Sequence, residues 1–211
     1  LDFSFFFIFI NYYFNARFKL INKKDMKINN EKFLKQCQLT KCFSSVPFND
    51  KNFRKFKYKK PVNFFKYFWN KYERFKKKYS EKKGKEINNS YNGQALEIIL
   101  AYLFTRENIK IEKMDEELDD VMFVKPDFLL KGDDEKKFFI SVKVSIRERW
   151  KQADWEAIKY KEKYPNAFCA LIINHKQEYL SMKKKIKHLD LDKVYLANSK
   201  DMNQIIDKLK E

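Results

Sequence analysis

The sequence predicts an α/β fold in which a mixed central sheet is flanked by helices, and three stretches carry that reading. Residues 136–145, KKFFISVKVS, alternate so that Phe138, Ile140, Val142 and Val144 form one uniformly apolar strand face. Residues 167–175, AFCALIINH, are almost continuously apolar, as in a strand covered on both sides. Between them, residues 146–163 have helical spacing, so strands alternate with helices along the chain.

The elements follow in order. Residues 61–80 repeat aromatics at Phe65, Phe68, Tyr72, Phe75 and Tyr79, steps of three and four that make one stripe of a helix. Pro61 suits its first turn. Such a stripe could stack on bases, but regular spacing is what packing demands, so the aromatics read as core and the lysines as solvated. A polar break over 82–90 follows, then a helix from about residue 92, with Asn92 as its cap. Its inner face carries Ala95, Ile98, Ile99, Tyr102 and Leu103, with Glu97 within this set or at its edge. An acidic loop over 112–120 leads to a strand over 121–130, a turn at Gly132-Asp133-Asp134 and the strand over 136–145. Ser145 and Glu148 make a capping box for the next helix, and Pro165-Asn166 stops it. The buried strand, a charged helical stretch, the strand KVYLA and a closing helix DMNQIIDKLK complete the chain.

The formal net charge is +17 over 211 residues, which favours a polyanionic partner, either nucleic acid or an anionic membrane surface. Most of the excess lies between Lys51 and Lys85, with fifteen Lys/Arg against two acids, Glu73 and Glu81. Hydrophobic residues make up 44% of the chain and aromatics 18%, enough for a folded core. Three glycines leave no Walker loop and no GxGxxG, so nucleotide-cofactor chemistry is poorly supported. Cys37, Cys42 and Cys169 offer no paired CxxC or CxxH spacing for zinc; an odd count without a secretory leader indicates a reducing, cytoplasmic setting. Residues 1–25 contain an apolar run far shorter than the roughly 18 residues of a membrane span. They read as translated upstream sequence or a disordered leader before Met26, with a short membrane-associating segment as the alternative. No membrane partner is expected.

The chemistry is concentrated in Pro126-Asp127 and in residues 141–156, SVKVSIRERWKQADWE. Ser141 and Lys143 share the strand face opposite the apolar one. A lysine on a central strand is costly unless an anion receives it, and Asp127 lies on the neighbouring hairpin strand. Pro126 has no amide hydrogen, so the ladder is weakened beside Asp127. Further on, Arg149, Gln152 and Glu156 follow steps of three and four and share one helical face, which lets Glu156 lean over Lys143. Asp154 is the rival second acid, on a different side of that helix. Taken singly, an Asp after Pro is usually a turn residue, a strand lysine can snorkel and a helical Glu is usually solvated. Their joint spacing is what points to a metal-dependent site.

These residues resemble the PD-(D/E)XK nuclease superfamily through PD-x13-SVK, with Ser141 in the place of the usual second acid. Lys143-x12-Glu156 is similar to the branch including the EcoRII and NgoMIV restriction enzymes, in which that acid moves to the following helix. KVSIRERWKQADWE also resembles the KTS-x-RERWKQ signature of type II restriction endonucleases. The resemblance covers roughly residues 88–175. It implies a restriction-endonuclease-like core over 88–211. Residues 26–87 show no match to the family and read, from their charge, as a basic, aromatic-rich helical extension that contacts DNA. The resemblance further implies Mg²⁺ held by Asp127, Glu156 and the Val142 carbonyl, with Lys143 beside the scissile phosphate. Glu97 matches an acid of the family's first core helix. Arg147, Arg149, Gln152 and Ser141 are candidates for phosphate contact. The expected activity is site-specific hydrolysis of double-stranded DNA by a homodimer, paired in its biological system with a DNA methyltransferase. The alternatives are a repair or junction-resolving nuclease of the same fold, and a non-catalytic DNA-binding module.

Overall fold

The computed structural model describes residues 50–211 apart from 85, 87, 88, 133–135 and 148. The leader, Cys37 and Cys42, the Asp133-Asp134 turn and the capping Glu148 therefore lie outside the described residues. Three helices come first: α1 (Asp50–Lys55), α2 (Pro61–Lys83) and α3 (Asn89–Arg106). Strands β1 (Lys110–Lys113), β2 (Phe128–Lys131) and β3 (Lys137–Lys143) follow, then α4 (Trp150–Lys163), β4 (Phe168–Ile173), α5 (Lys176–Lys185), β5 (Lys193–Leu196) and α6 (Asp201–Leu209).

The five strands form one mixed sheet in the order β1-β2-β3-β4-β5. The first two pairings are antiparallel and the last two parallel. Alternation along β3 divides the core. Phe138, Ile140 and Val142 pack with α1, α2, α3 and α6, whereas Phe139 packs with α4 and α5 on the other face. The result is a mixed sheet with helices on both faces, as the sequence predicts.

Helix α3 is apolar almost all round, with Leu96, Ile99, Leu100, Ala101, Leu103 and Phe104 fully buried, because it lies between the sheet and α2. The aromatic stripe of α2 proves to be core: Phe65, Phe68 and Tyr72 are buried, while Phe75 and Tyr79 are half-buried. Phe53, Phe64, Phe65, Phe68, Trp69 and Tyr72 belong to one cluster with α3, the sheet and α6. Phe53 stacks on Tyr102 at 3.9 Å between ring centroids. Arg106 fastens α1 to this layer by donating to the carbonyls of Phe53 (3.0 Å) and Phe56 (3.2 Å) and to that of Arg54. Gly132 is required after β2, since a Cβ there would stand 2.9 Å from the Phe138 ring. Among the described residues, no helix is long and apolar enough to cross a membrane.

Four local expectations are corrected. Helix α3 begins before Asn92, whose side-chain oxygen accepts the Tyr72 hydroxyl at 2.8 Å, so Asn92 ties α2 to α3. Residues 112–113, expected to open the acidic loop, belong to β1, an edge strand paired with β2. The strand expected over 121–130 is ordered as strand only from Phe128, because Val124 N closes a turn onto the Val121 carbonyl and Phe123 has φ 61°. Helix α4 begins at Trp150 and not near Ile146, because Ser145 turns its hydroxyl toward Glu178.

Candidate active site

The site forms where the β2–β3 ladder ends. The last pairing toward it is Phe128 with Ile140, and beyond it the register sets Pro126 opposite Val142. The Pro126 carbonyl is claimed by the Asp115 amide at 3.1 Å, so it does not serve as the ladder acceptor. The Asp127 side chain takes that part: its Oδ2 accepts the Val142 amide at 2.5 Å and the Lys143 ammonium at 2.7 Å. Asp127 and Lys143 are both largely buried, at 14% and 15% side-chain exposure, and a charge so placed needs the partner it has. The other oxygen of Asp127, Oδ1, accepts no hydrogen bond from the described residues. Amide and carbonyl of one strand residue point to the same edge, so the Val142 carbonyl faces Pro126, which has no hydrogen to donate. An acceptor is thereby left open next to Asp127.

Two more carboxylates converge from opposite faces of the sheet. Glu156 projects from α4 and is 4% exposed; its Oε1 accepts the Gln152 amide at 2.9 Å. Burial and the nearby charge of Asp127 raise the Glu156 carboxyl above the usual range, against the opposing pull of Gln152, Lys143 and Lys125. Glu97 projects from α3. Burial, then the charges of Asp127 and Asp115, push its carboxyl up to about 8, although Lys143 and Lys125 pull the other way. Both helices thus bring an acid into the field of Asp127 and Lys143. Among the described residues, no three of His, Cys, Asp and Glu are grouped closely enough to hold a metal ion.

The remaining candidates fall into place around this centre. Ser141 is fully buried and its hydroxyl finds no partner among the described residues, so it has no surface from which to touch a phosphate. The alternation that hides Phe139 beneath α4 hides Ser141 as well. Arg147, Arg149 and Gln152 are exposed. Asp154 accepts the Asp190 amide at 2.8 Å and serves the loop before β5. Sequence reasoning missed Lys125 and Asp115, an ion pair at 2.9 Å whose charges reach Glu97, and Glu178, which accepts from Ser145 and Ile146. Lys125 was within reach of inspection, as it directly precedes Pro126-Asp127; Glu178 is too far along the chain to give a local signal.

No family model matches the chain, and no curated protein does. Among solved structures, the fold is similar to that of restriction endonuclease PspGI in complex with its substrate DNA, with a TM-score of 0.52. The alignment covers 86% of this chain and 82% of that one at 17% identity. The fold is restriction-endonuclease-like. At that identity the likeness concerns the arrangement of sheet and helices, and the chemistry has to be argued from the residues themselves.

Proposed function

We propose that this chain is a magnesium-dependent endonuclease of the restriction type that hydrolyses phosphodiester bonds in double-stranded DNA. The observation that carries the proposal is the doubly engaged Asp127: one oxygen is fixed by Val142 and Lys143, and the other is open beside a carbonyl without a donor. The similarity in fold to a restriction endonuclease solved with its substrate DNA supports the same reading.

The donors fit a hard divalent cation. Asp127, Glu156 and the Val142 carbonyl offer oxygen ligands, and Glu97 adds a further buried carboxyl in the field of Asp127. Magnesium bound there supplies a more acidic water and positive charge beside the phosphate. The chain's own residues supply the rest. Lys143 brings its ammonium to the phosphate oxygen on which charge develops. Gln152 holds the Glu156 carboxylate in a single orientation through the bond to Oε1. Burial pushes the Glu97 carboxyl up to about 8, and a cation held beside it would favour its ionised form. The exposed Arg147 and Arg149 bind backbone phosphates. On α2, the exposed Arg74, Lys77, Lys78 and Lys82 lie past the contact between Tyr72 and Asn92 at the start of α3, and they extend the phosphate grip. Two copies acting together serve the two strands of a duplex, and a DNA methyltransferase is the proposed partner in the same system.

The test is incubation with supercoiled plasmid in the presence and absence of Mg²⁺. Discrete fragments that need the ion are expected. Preference for branched substrates would favour a junction-resolving or repair nuclease, and tight binding without any cleavage would favour a DNA-binding module.

A further inference from the structure

The loop between β3 and α4 carries Arg147 and Arg149, and its conformation is not one the chain adopts freely. Arg147 has φ 35°, a left-handed value uncommon for a residue with a Cβ, and such a geometry persists only where the surroundings enforce it. One enforcing contact is local: the Arg149 amide donates to the Ile146 carbonyl at 2.5 Å. The other comes from a different element. Glu178, in the first turn of α5, accepts the Ile146 amide on Oε2 at 2.5 Å and the Ser145 hydroxyl on Oε1 at 3.1 Å. It grips the two residues directly before Arg147. The strand end is held as well, since the Asn174 amide donates to the Lys143 carbonyl at 3.2 Å.

We infer that Glu178 is a positioning residue: from α5 it locks residues 145–146 so that Arg147 and Arg149 are presented together to the phosphates of a duplex. The inference rests on the nuclease reading for its ligand and names a residue that reading does not use. The two oxygens of Glu178 are taken up by Ile146 and Ser145, so it acts on the arginines through the backbone. Loss of the grip frees the loop, and each arginine then has to be ordered again on binding.

The experiment measures affinity for a dye-labelled duplex of about 30 base pairs by fluorescence anisotropy without metal, at fixed low salt. Glu178→Ala is expected to weaken binding about tenfold. Glu178→Gln is expected to stay within about threefold of native, because its amide oxygen can accept from Ile146 and its NH₂ can donate to the Ser145 hydroxyl. Combined with Arg147→Ala and Arg149→Ala, the Glu178→Ala change should add little, since the loop then has nothing to present. If Glu178→Ala does not fold, Ser145→Ala carries the same comparison, with a smaller loss that is again absent in the arginine-free background. Native affinity in Glu178→Ala, or a loss that multiplies with that of the arginines, would overturn the inference. A native protein that binds duplex but never cuts it would sink the nuclease reading alone; one that binds no duplex would sink both.

Discussion

Asp127 and Lys143, sixteen residues apart, share one carboxylate oxygen with the Val142 amide, at 2.7 Å and 2.5 Å. The pair does two things at once. It ends the β2–β3 ladder without an unsatisfied amide, and it holds a lysine and an aspartate at the end of two interior strands, in whose field Glu97 and Glu156 also lie.

Removing the ammonium should separate catalysis from binding. Lys143→Ala is expected to lower the cleavage rate at saturating DNA by about 10²-fold or more, while duplex affinity changes little. The variant should also melt at a lower temperature, because Asp127 is left buried without its counter-charge. Addition of Mg²⁺ should recover part of that loss. Differential scanning calorimetry and single-turnover cleavage read the two effects separately.

The raised Glu97 carboxyl predicts a pH dependence of stability. Its folded value of about 8 lies above the unfolded 4.5, so the folded state binds the extra proton and draws stability from it. That contribution is full below about 4.5 and is lost as pH rises through about 8. In metal-free protein the melting temperature should therefore fall across this window, and Glu97→Gln should flatten the fall. Glu156, shifted in the same direction, adds to it. A melting temperature that rose with pH in native protein but not in Glu97→Gln would contradict the assignment.

The lysines of α2 should govern salt dependence and leave stability alone. Lys77, Lys78 and Lys82 are exposed, and their replacement by alanine should leave the melting temperature within a degree or two. The slope of log affinity against log salt should become shallower by about 0.9 for each phosphate that is no longer neutralised. An unchanged slope would assign these lysines to solvation only.

How far all this could be read from the sequence depended on the range of each interaction. Alternation in β3 separated Val142 from Lys143, and the spacing of Gln152 and Glu156 by one helical turn is realised as a hydrogen bond. Those patterns are local, so the chain displays them. The start of α4 departs from the sequence pattern because a capping box is a local alternative to Glu178, an acceptor more than thirty residues away. Asn92 looked like a cap for the same reason, although it is claimed by Tyr72. Edge strand β1 carries only Ile111 as a buried residue, too little for a period-two signal. The burial of Ser141 follows from the packing of α4 over the sheet, and no residue type announced it.

The most direct test of the account compares single-turnover plasmid cleavage in Mg²⁺ by native protein, Glu156→Gln and Asp154→Asn. Glu156 stands in the field of Asp127 and Lys143, whereas Asp154 accepts the Asp190 amide. Glu156→Gln should therefore lose cleavage by about 10²-fold or more while still binding duplex, and Asp154→Asn should stay within a few-fold of native. Full activity in Glu156→Gln would contradict the account.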